Sequence, residues 1–181
     1  TMAVTGSNGK TTTKDLIAHL LTKKLSTASV NGNYNSTIGL PLSLFSLSMD
    51  NEMAVLEIGT NSPGEIALLT DLIKPQYGLI TNIYAAHIGN FNSTEKIAQE
   101  KSELFKGLPD TGVALVNIDD PFILNMKTHT DVITYGFTSD CDYRGRIDSQ
   151  NNNRFLFVND QRIYTPIESK VMAHNTLAAY T

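Results

Sequence analysis

The segment Thr5-Gly6-Ser7-Asn8-Gly9-Lys10-Thr11-Thr12 constrains this chain more than any other. It follows the apolar run Met2-Ala3-Val4 and leads into a stretch with helical apolar spacing, so it reads as a turn from a strand directly into a helix. Glycines in such a turn let backbone N–H groups approach a phosphate closely, and the helix N-terminus behind them favours the anion. A lysine in the first helical turn can reach the β and γ phosphates of a nucleotide, and a hydroxyl beside it can bind Mg2+. Gly6, Ser7, Asn8, Gly9, Lys10, Thr11 and Thr12 are therefore candidates for a nucleotide site. The loop is shorter than the general P-loop, because Val4 stands where that pattern has its first glycine. A glycine turn that only caps a helix is the plainer alternative. The coincidence of strand, Gly-Lys-Thr and helix weighs against it.

Strand and helix patterns alternate after this point. Strands are expected at Met2–Thr5, Thr27–Val30, Met53–Ile58, Gly78–Asn82, Val113–Asn117 and Val132–Tyr135. Helices are expected at Thr11–Lys24, near Pro41–Leu47, and at Pro63–Ile73, Ser93–Leu108 and Asp119–Lys127. In the first helix, Leu16, Ile17, Leu20 and Leu21 are expected to share one face. Such alternation gives an α/β fold of the P-loop NTPase type, a mostly parallel sheet with helices on both faces. Residues near 138–167 differ. There Arg154-Phe155-Leu156-Phe157-Val158 and Arg162-Ile163-Tyr164, divided by Asn159-Asp160, read as a small antiparallel hairpin.

Composition narrows the function. The 181 residues suffice for one domain with a sizeable core. At 41% hydrophobic residues the chain is globular rather than disordered. A net charge of -4 argues against nucleic acid as the main partner. No apolar run is long enough to span a membrane, and no signal-peptide pattern opens the sequence. Cys141 is the single cysteine, so an internal disulfide is excluded and a reducing cytoplasm is expected. The terminal stretch His174–Tyr180 reads as a helix without a stop signal, which leads us to expect a piece of a longer chain.

Several further groups fall at expected strand ends, where open α/β sheets bind ligands. Glu57 closes one strand and is placed to bind Mg2+ there, although an edge carboxylate facing solvent is the simpler possibility. His87 follows another strand after a short loop and is a candidate ligand, with a surface histidine as the alternative. Lys101 shares a helical stripe with Ile97, Leu104 and Phe105, which puts a lysine on a face that should be buried. Burial lowers an amine's pKa, and a neutral amine can take up carbon dioxide to become an anionic carbamate. Periodicity alone fits more simply a lysine whose stem packs inward while its head reaches water. The loop Asn31–Gly39 can present amides to a second substrate or be only an Asn/Gly turn. Asn117-Ile118-Asp119-Asp120 can approach a ligand or only cap the next helix.

Together these segments resemble the Mur ligases, and within that family the branch that adds D-Ala-D-Ala. The resemblance runs through Thr5–Thr12, Gly32-Asn33-Tyr34-Asn35 with Ile38-Gly39-Leu40-Pro41, and Leu56–Asn61 with Pro63-Gly64-Glu65-Ile66. It continues through Thr81-Asn82-Ile83 with Ala86-His87, Glu100–Phe105, Asn117–Asp120 and His174-Asn175. It implies an ATP- and Mg2+-dependent ligase of peptidoglycan synthesis whose substrates are UDP-N-acetylmuramoyl tripeptide and D-Ala-D-Ala, acting as a monomer. Residues 1–181 would be its central ATP-binding domain. An N-terminal UDP-binding domain and a C-terminal domain for the incoming dipeptide would complete it, and the central piece alone would not ligate. The resemblance implies that Lys10, Lys101 and His87 are catalytic. Thr11 and Glu57 would hold one Mg2+ and His87 a second, with Lys101 carbamylated. Asn175 would face the adenine, Asn117 would lie near the nucleotide, and Asn33 and Asn35 near the muramoyl peptide. Ser36 departs from the family's paired asparagines and Ala178 from its second asparagine after His-Asn. Other Mur ligases and folylpolyglutamate synthetases share much of this pattern, and a non-catalytic nucleotide-binding module is the reading from another class. A single cysteine excludes the Mur-ligase-like amidating subunit, which carries a four-cysteine zinc insert.

Overall fold

The computed structural model describes residues 1–30, 34–85, 91–138, 140–150, 153–163 and 169–181. In chain order its first half comprises β1 (Met2–Thr5), α1 (Lys10–Leu21), β2 (Thr27–Ser29), α2 (Gly39–Leu44), β3 (Met53–Glu57), α3 (Glu65–Ile73) and β4 (Tyr77–Ile80). The second half comprises α4 (Thr94–Lys106), β5 (Val113–Asn117), α5 (Pro121–Leu124), β6 (Asp131–Gly136), β7 (Tyr143–Gln150), β8 (Asn153–Val158), β9 (Gln161–Ile163) and α6 (Lys170–Tyr180).

One sheet runs through the chain in the order β2-β3-β1-β4-β5-β6-β7-β8-β9. The pairs from β2 to β7 are parallel, and β7-β8-β9 form an antiparallel meander at one end. Period-two alternation splits the strand side chains between two apolar layers. Ala3, Leu56, Ile80, Ala114 and Val116 pack with Ile66 and Leu69 of α3 and Ile97, Leu104 and Phe105 of α4. Met2, Val4, Val55, Leu79 and Leu115 pack on the opposite face with Ile17 and Ala18 of α1 and Ala173 and Leu177 of α6. The mostly parallel α/β architecture expected from the sequence is the one found.

The expected helix bounds shift where side chains cap the backbone. Ser36 Oγ accepts from Gly39 N at 3.1 Å, so α2 starts two residues before Pro41. Pro41 still falls in the first turn, where a missing N–H costs nothing. Asp120 accepts from Phe122 N and Ile123 N and starts α5, while Asn125 Nδ2 donates back to Pro121 O and ends it early. The expected face of α1 is corrected too. Its buried residues are Thr13, Lys14, Ile17 and Ala18, whereas Leu20 is exposed.

The expected hairpin is a three-stranded meander, because β7 precedes it. The alternation in β7 sets Gly145, Ile147 and Ser149 against Arg144, Arg146 and Asp148, too little apolar contrast to announce a strand. Gly145 admits a close approach: a Cβ there would run into the Phe137 ring and Leu177. The guanidinium groups of Arg146 and Arg162 stack over the rings of Phe157 and Phe155, at 4.4 and 3.6 Å from the ring centroids.

Leu156 of β8 is fully buried and belongs to the same apolar layer as Met2 and Val4. Leu156→Ala is therefore expected to cost about 2–5 kcal/mol in urea unfolding, within one cooperative transition. A main transition left unmoved would show the meander to be energetically separate from the parallel sheet.

Candidate active site

The sheet changes direction at β1. Chain order runs from β1 to β3 and β2 on one side and to β4 and β5 on the other. The carboxyl edge at such a switch point is where an open α/β sheet leaves a crevice. The loop 6–9 rises from β1 at that point and is fastened to the chain leaving β4. Ser7 N donates to Asn82 O at 2.9 Å, and Asn8 N to Asn82 Oδ1 at 2.9 Å. Asn8 O accepts from Thr81 Oγ1 at 2.7 Å and from Asn82 Nδ2 at 3.0 Å. Ser7 Oγ exchanges bonds with the backbone of Tyr84. Thus the Asn8 backbone and both the amide and the hydroxyl of Ser7 are fastened to the chain leaving β4, just ahead of the start of α1.

Two glycines make this path possible. Gly6 has φ 147° and Gly9 φ 78°, values that favour glycine. A Cβ at Gly6 would strike Thr81 Oγ1, and one at Gly9 would strike the Asn175 amide. Gly9 is the N-cap of α1, which has no side-chain cap, so its first amides carry no capping oxygen from that residue. The first glycine of the general pattern is not needed because Val4 is still inside β1.

Glu57 ends β3 and is nearly buried. Its Oε2 accepts from Thr11 Oγ1 and its Oε1 from Asn35 Nδ2, both at 2.6 Å. Asn35 O also accepts from Gly59 N at 2.7 Å. A carboxylate, the α1 hydroxyl and a side-chain amide thus meet at one point beside the phosphate-type loop. Hard oxygen donors of this kind suit Mg2+. Among the described residues no three His, Cys, Asp or Glu side chains converge. His87 and Asn33 lie outside the described residues.

Lys10 opens α1 and Lys101 projects from α4 into the same small cleft, lined also by Gly6, Ser7, Thr60, Phe91 and Ile97. Lys101 is 4% exposed, so its head does not escape to water as the simpler sequence reading had it. Burial lowers its pKa to about 8, and the Lys10 charge adds to that lowering, while Glu100 and Glu57 oppose it. Among the described residues Lys101 has no ion pair. Its neighbour Glu100 is occupied elsewhere: its carboxylate accepts from Gly64 N at 2.7 Å, Ile66 N at 2.9 Å and Thr60 Oγ1 at 3.2 Å. It thereby caps α3 and ties α4 to the chain leaving β3. Sequence reasoning missed Glu100. Its signal was available, since it is the second charged residue on the buried side of α4.

Asn117 ends β5 buried, with Nδ2 donating to Thr81 O and Oδ1 accepting from Asp119 N. Its amide therefore braces the β4 edge. Of the two readings for the segment that follows it, capping is correct for Asp120, which also accepts from Ile83 N at 2.7 Å. Asp119 accepts from Phe137 N at 2.7 Å, from Thr138 N and Oγ1, and faces His174 Nε2 at 3.2 Å. Burial pushes the Asp119 carboxyl up, but the Thr138 and Phe137 donors and His174 outweigh it, and its pKa is lowered. His174 thus pins the start of α6, and Asn175 beside it is buried against Gly9. Thr11 and Thr12 are exposed at the top of α1, and Asn35 is half-buried.

The Mur ligase middle domain family matches residues 4–181. The UDP-N-acetylmuramoyl-tripeptide–D-alanyl-D-alanine ligase of a Synechocystis strain is 38% identical over 98% of this chain, which spans 39% of that relative's length. A crystal structure of MurF from Acinetobacter baumannii superposes with TM-score 0.88 at 27% identity, covering 99% of this chain and 41% of that one. MurF ligase from Thermotoga maritima in complex with ADP gives TM-score 0.86 at 27% identity, over 98% and 43% respectively.

The buried free amine of Lys101 predicts a stability slope. Its pKa is 10.5 in the unfolded chain and about 8 when folded, so between those values the unfolded chain holds the extra proton. Stability then rises with pH across that window, by roughly 2–3 kcal/mol at most. Urea unfolding in CO2-free buffer at either end of the window should show this rise in the wild type and not in Lys101→Met. Parallel behaviour of the two would mean that folding leaves the Lys101 pKa unlowered and its amine charged as in the unfolded chain.

Proposed function

The chain belongs to the Mur ligase family, and we propose that it is the nucleotide-binding middle domain of an enzyme that adds D-Ala-D-Ala to UDP-N-acetylmuramoyl tripeptide at the cost of ATP. The observation that carries this reading is the convergence of Lys10 and Lys101 on a cleft beside Gly6 and Ser7, at the switch point of the sheet. Two ammonium groups facing one small space with no ion pair among the described residues call for an anionic ligand. The 38% identity to a relative bearing that name supports the substrate pair.

The reaction begins with attack of the tripeptide carboxylate oxygen on the γ phosphorus. An O–P bond forms to give an acyl phosphate, the bond to the bridging oxygen breaks, and ADP leaves. The dipeptide amine then attacks the acyl carbon, a C–N bond forms, phosphate leaves with the C–O bond pair, and the amine loses a proton. The first step brings two anions together, and in a low-dielectric site that repulsion amounts to several kcal/mol. Lys10 and the amides at the start of α1 hold the β and γ phosphates and draw the developing charge toward the bridge. The fixed loop geometry, set by Asn8 on Thr81 and Asn82, keeps the phosphates aligned without rearrangement. Asn175 closes the floor beneath Gly9, and Asn117 keeps the β4 edge in place.

Glu57 and Thr11 would hold Mg2+, with His87 contributing a second position and Asn35 orienting Glu57. When bound, Mg2+ supplies charge neutralisation at the phosphate oxygens. Lys101, whose amine is held near pKa 8 by burial, is placed to take up carbon dioxide: an N–C bond forms and one proton is released. The carbamate would then present oxygens to the metal side of the cleft. Asn33 and Asn35 would contact the muramoyl peptide. The chain spans about two fifths of the length of its relatives, and the UDP-binding and dipeptide-binding domains would lie outside residues 1–181.

The full-length enzyme should release phosphate from ATP only when both UDP-muramoyl tripeptide and D-Ala-D-Ala are present. Lys10→Ala and Lys101→Ala should each lower kcat by about 100-fold or more. A short carboxylic acid should restore part of the Lys101→Ala activity. Turnover with a different amino acid in place of the dipeptide would move the protein to another branch of the family.

A further inference from the structure

Lys14 is more deeply buried than Lys101, with no exposed surface, and the reaction described above does not use it. It lies one turn past Thr11 on α1, at the i, i+3 spacing that puts both side chains on one face of the helix. Its ammonium donates to the carbonyl of Val30, just beyond the end of β2, and pairs with Asp15 Oδ1 at 2.9 Å. Thr11 meanwhile reaches Asn35 through Glu57, with both bonds at 2.6 Å. Val30 and Asn35 stand on either side of residues 31–33, so both flanks of that stretch answer to a single face of the helix that carries the phosphate loop.

We propose that Lys14 is a positioning residue that ties Val30, at the end of β2, to α1, coupling occupancy of the nucleotide loop to binding of the muramoyl substrate at Asn35. The inference rests on the functional reading above in assigning Asn35 to the second substrate. Desolvation makes a buried ammonium a poor choice for packing, and a methionine of similar volume would fill the space at no such cost. A methionine cannot hold a carbonyl. The ammonium can, and Val30 directly follows the last residue of β2. Because Lys10, Thr11 and Lys14 sit within two turns of one rigid helix, a small rotation of α1 on nucleotide binding moves both tethers together.

The test uses the full-length enzyme with Lys14→Met and Lys14→Arg. Lys14→Met should raise KM for UDP-muramoyl tripeptide about tenfold while KM for ATP stays within about twofold. Amide hydrogen exchange at Val30, Tyr34 and Asn35 should speed up, with the amides of β1 and β4 unchanged. Lys14→Arg, which keeps donors for Val30 O, should recover much of both. The effect of Lys14→Met should be less than additive with that of Asn35→Ala. Equal changes in both KM values, unchanged exchange at Val30 and Asn35, or full additivity would overturn the proposal. If Lys14→Met does not fold, the exchange and KM pattern of Lys14→Arg decides, and wild-type exchange together with a loss shared by both substrates counts against the role. A wild-type enzyme that ignores UDP-muramoyl tripeptide would defeat the functional reading alone, because the exchange measurement still reports on the tether.

Discussion

The organising fact of this structure is positive charge at the carboxyl edge of β1, carried by two lysines that form no ion pair among the described residues. Lys10, at the start of α1, and the buried Lys101 line one cleft beside Gly6 and Ser7. Such an arrangement is costly: burial, with the Lys10 charge adding to it, lowers the pKa of Lys101. The nearest carboxylates, Glu100 and Glu57, relieve it only in part. Glu100 is committed to the start of α3, and Glu57 to Thr11 and Asn35. On the proposed reading, an anionic ligand beside the glycine loop would complete the balance.

The surroundings hold that charge in place. Asn8 is clamped by Thr81 and Asn82, Asn117 braces Thr81, and Asp120 braces Ile83. Each tie joins a loop at one strand end to the loop at the next, so the strand order of the sheet becomes a row of mutually supporting turns. The antiparallel meander closes the far end, and its Leu156 and Val158 share a core layer with Ala173 and Leu177 of α6, the helix that brings Asn175 beneath Gly9. The fold's least site-like part therefore has a structural path to the phosphate loop.

Much of this was legible in the sequence. The parallel α/β plan follows from apolar strands alternating with amphipathic helices, and the glycine turn from β1 into α1 from Gly6 and Gly9 before Lys10. Lys101 stood out because the stripe Ile97, Lys101, Leu104, Phe105 placed a charge among apolar residues. The same logic applied to α1 would have found Lys14. Counting leucines pointed instead to Leu20, which is exposed, because the buried stripe of that helix is built on Thr13, Lys14, Ile17 and Ala18. β7 escaped notice because the one buried position among its described residues is Gly145, while Ile147 and Ser149 are exposed. The roles of Glu100, Asn82 and Asp120 depend on contacts across 34 to 74 residues of sequence, which no local pattern encodes.

The most direct test of the account is calorimetric titration of ATP with Mg2+ into the full-length protein and its Lys10→Met variant. Binding that weakens at least about tenfold in the variant, with an unchanged unfolding midpoint, is the predicted result. Equal affinity in the two proteins would mean that the cleft lined by Lys10 and Lys101 is not where the nucleotide phosphates bind.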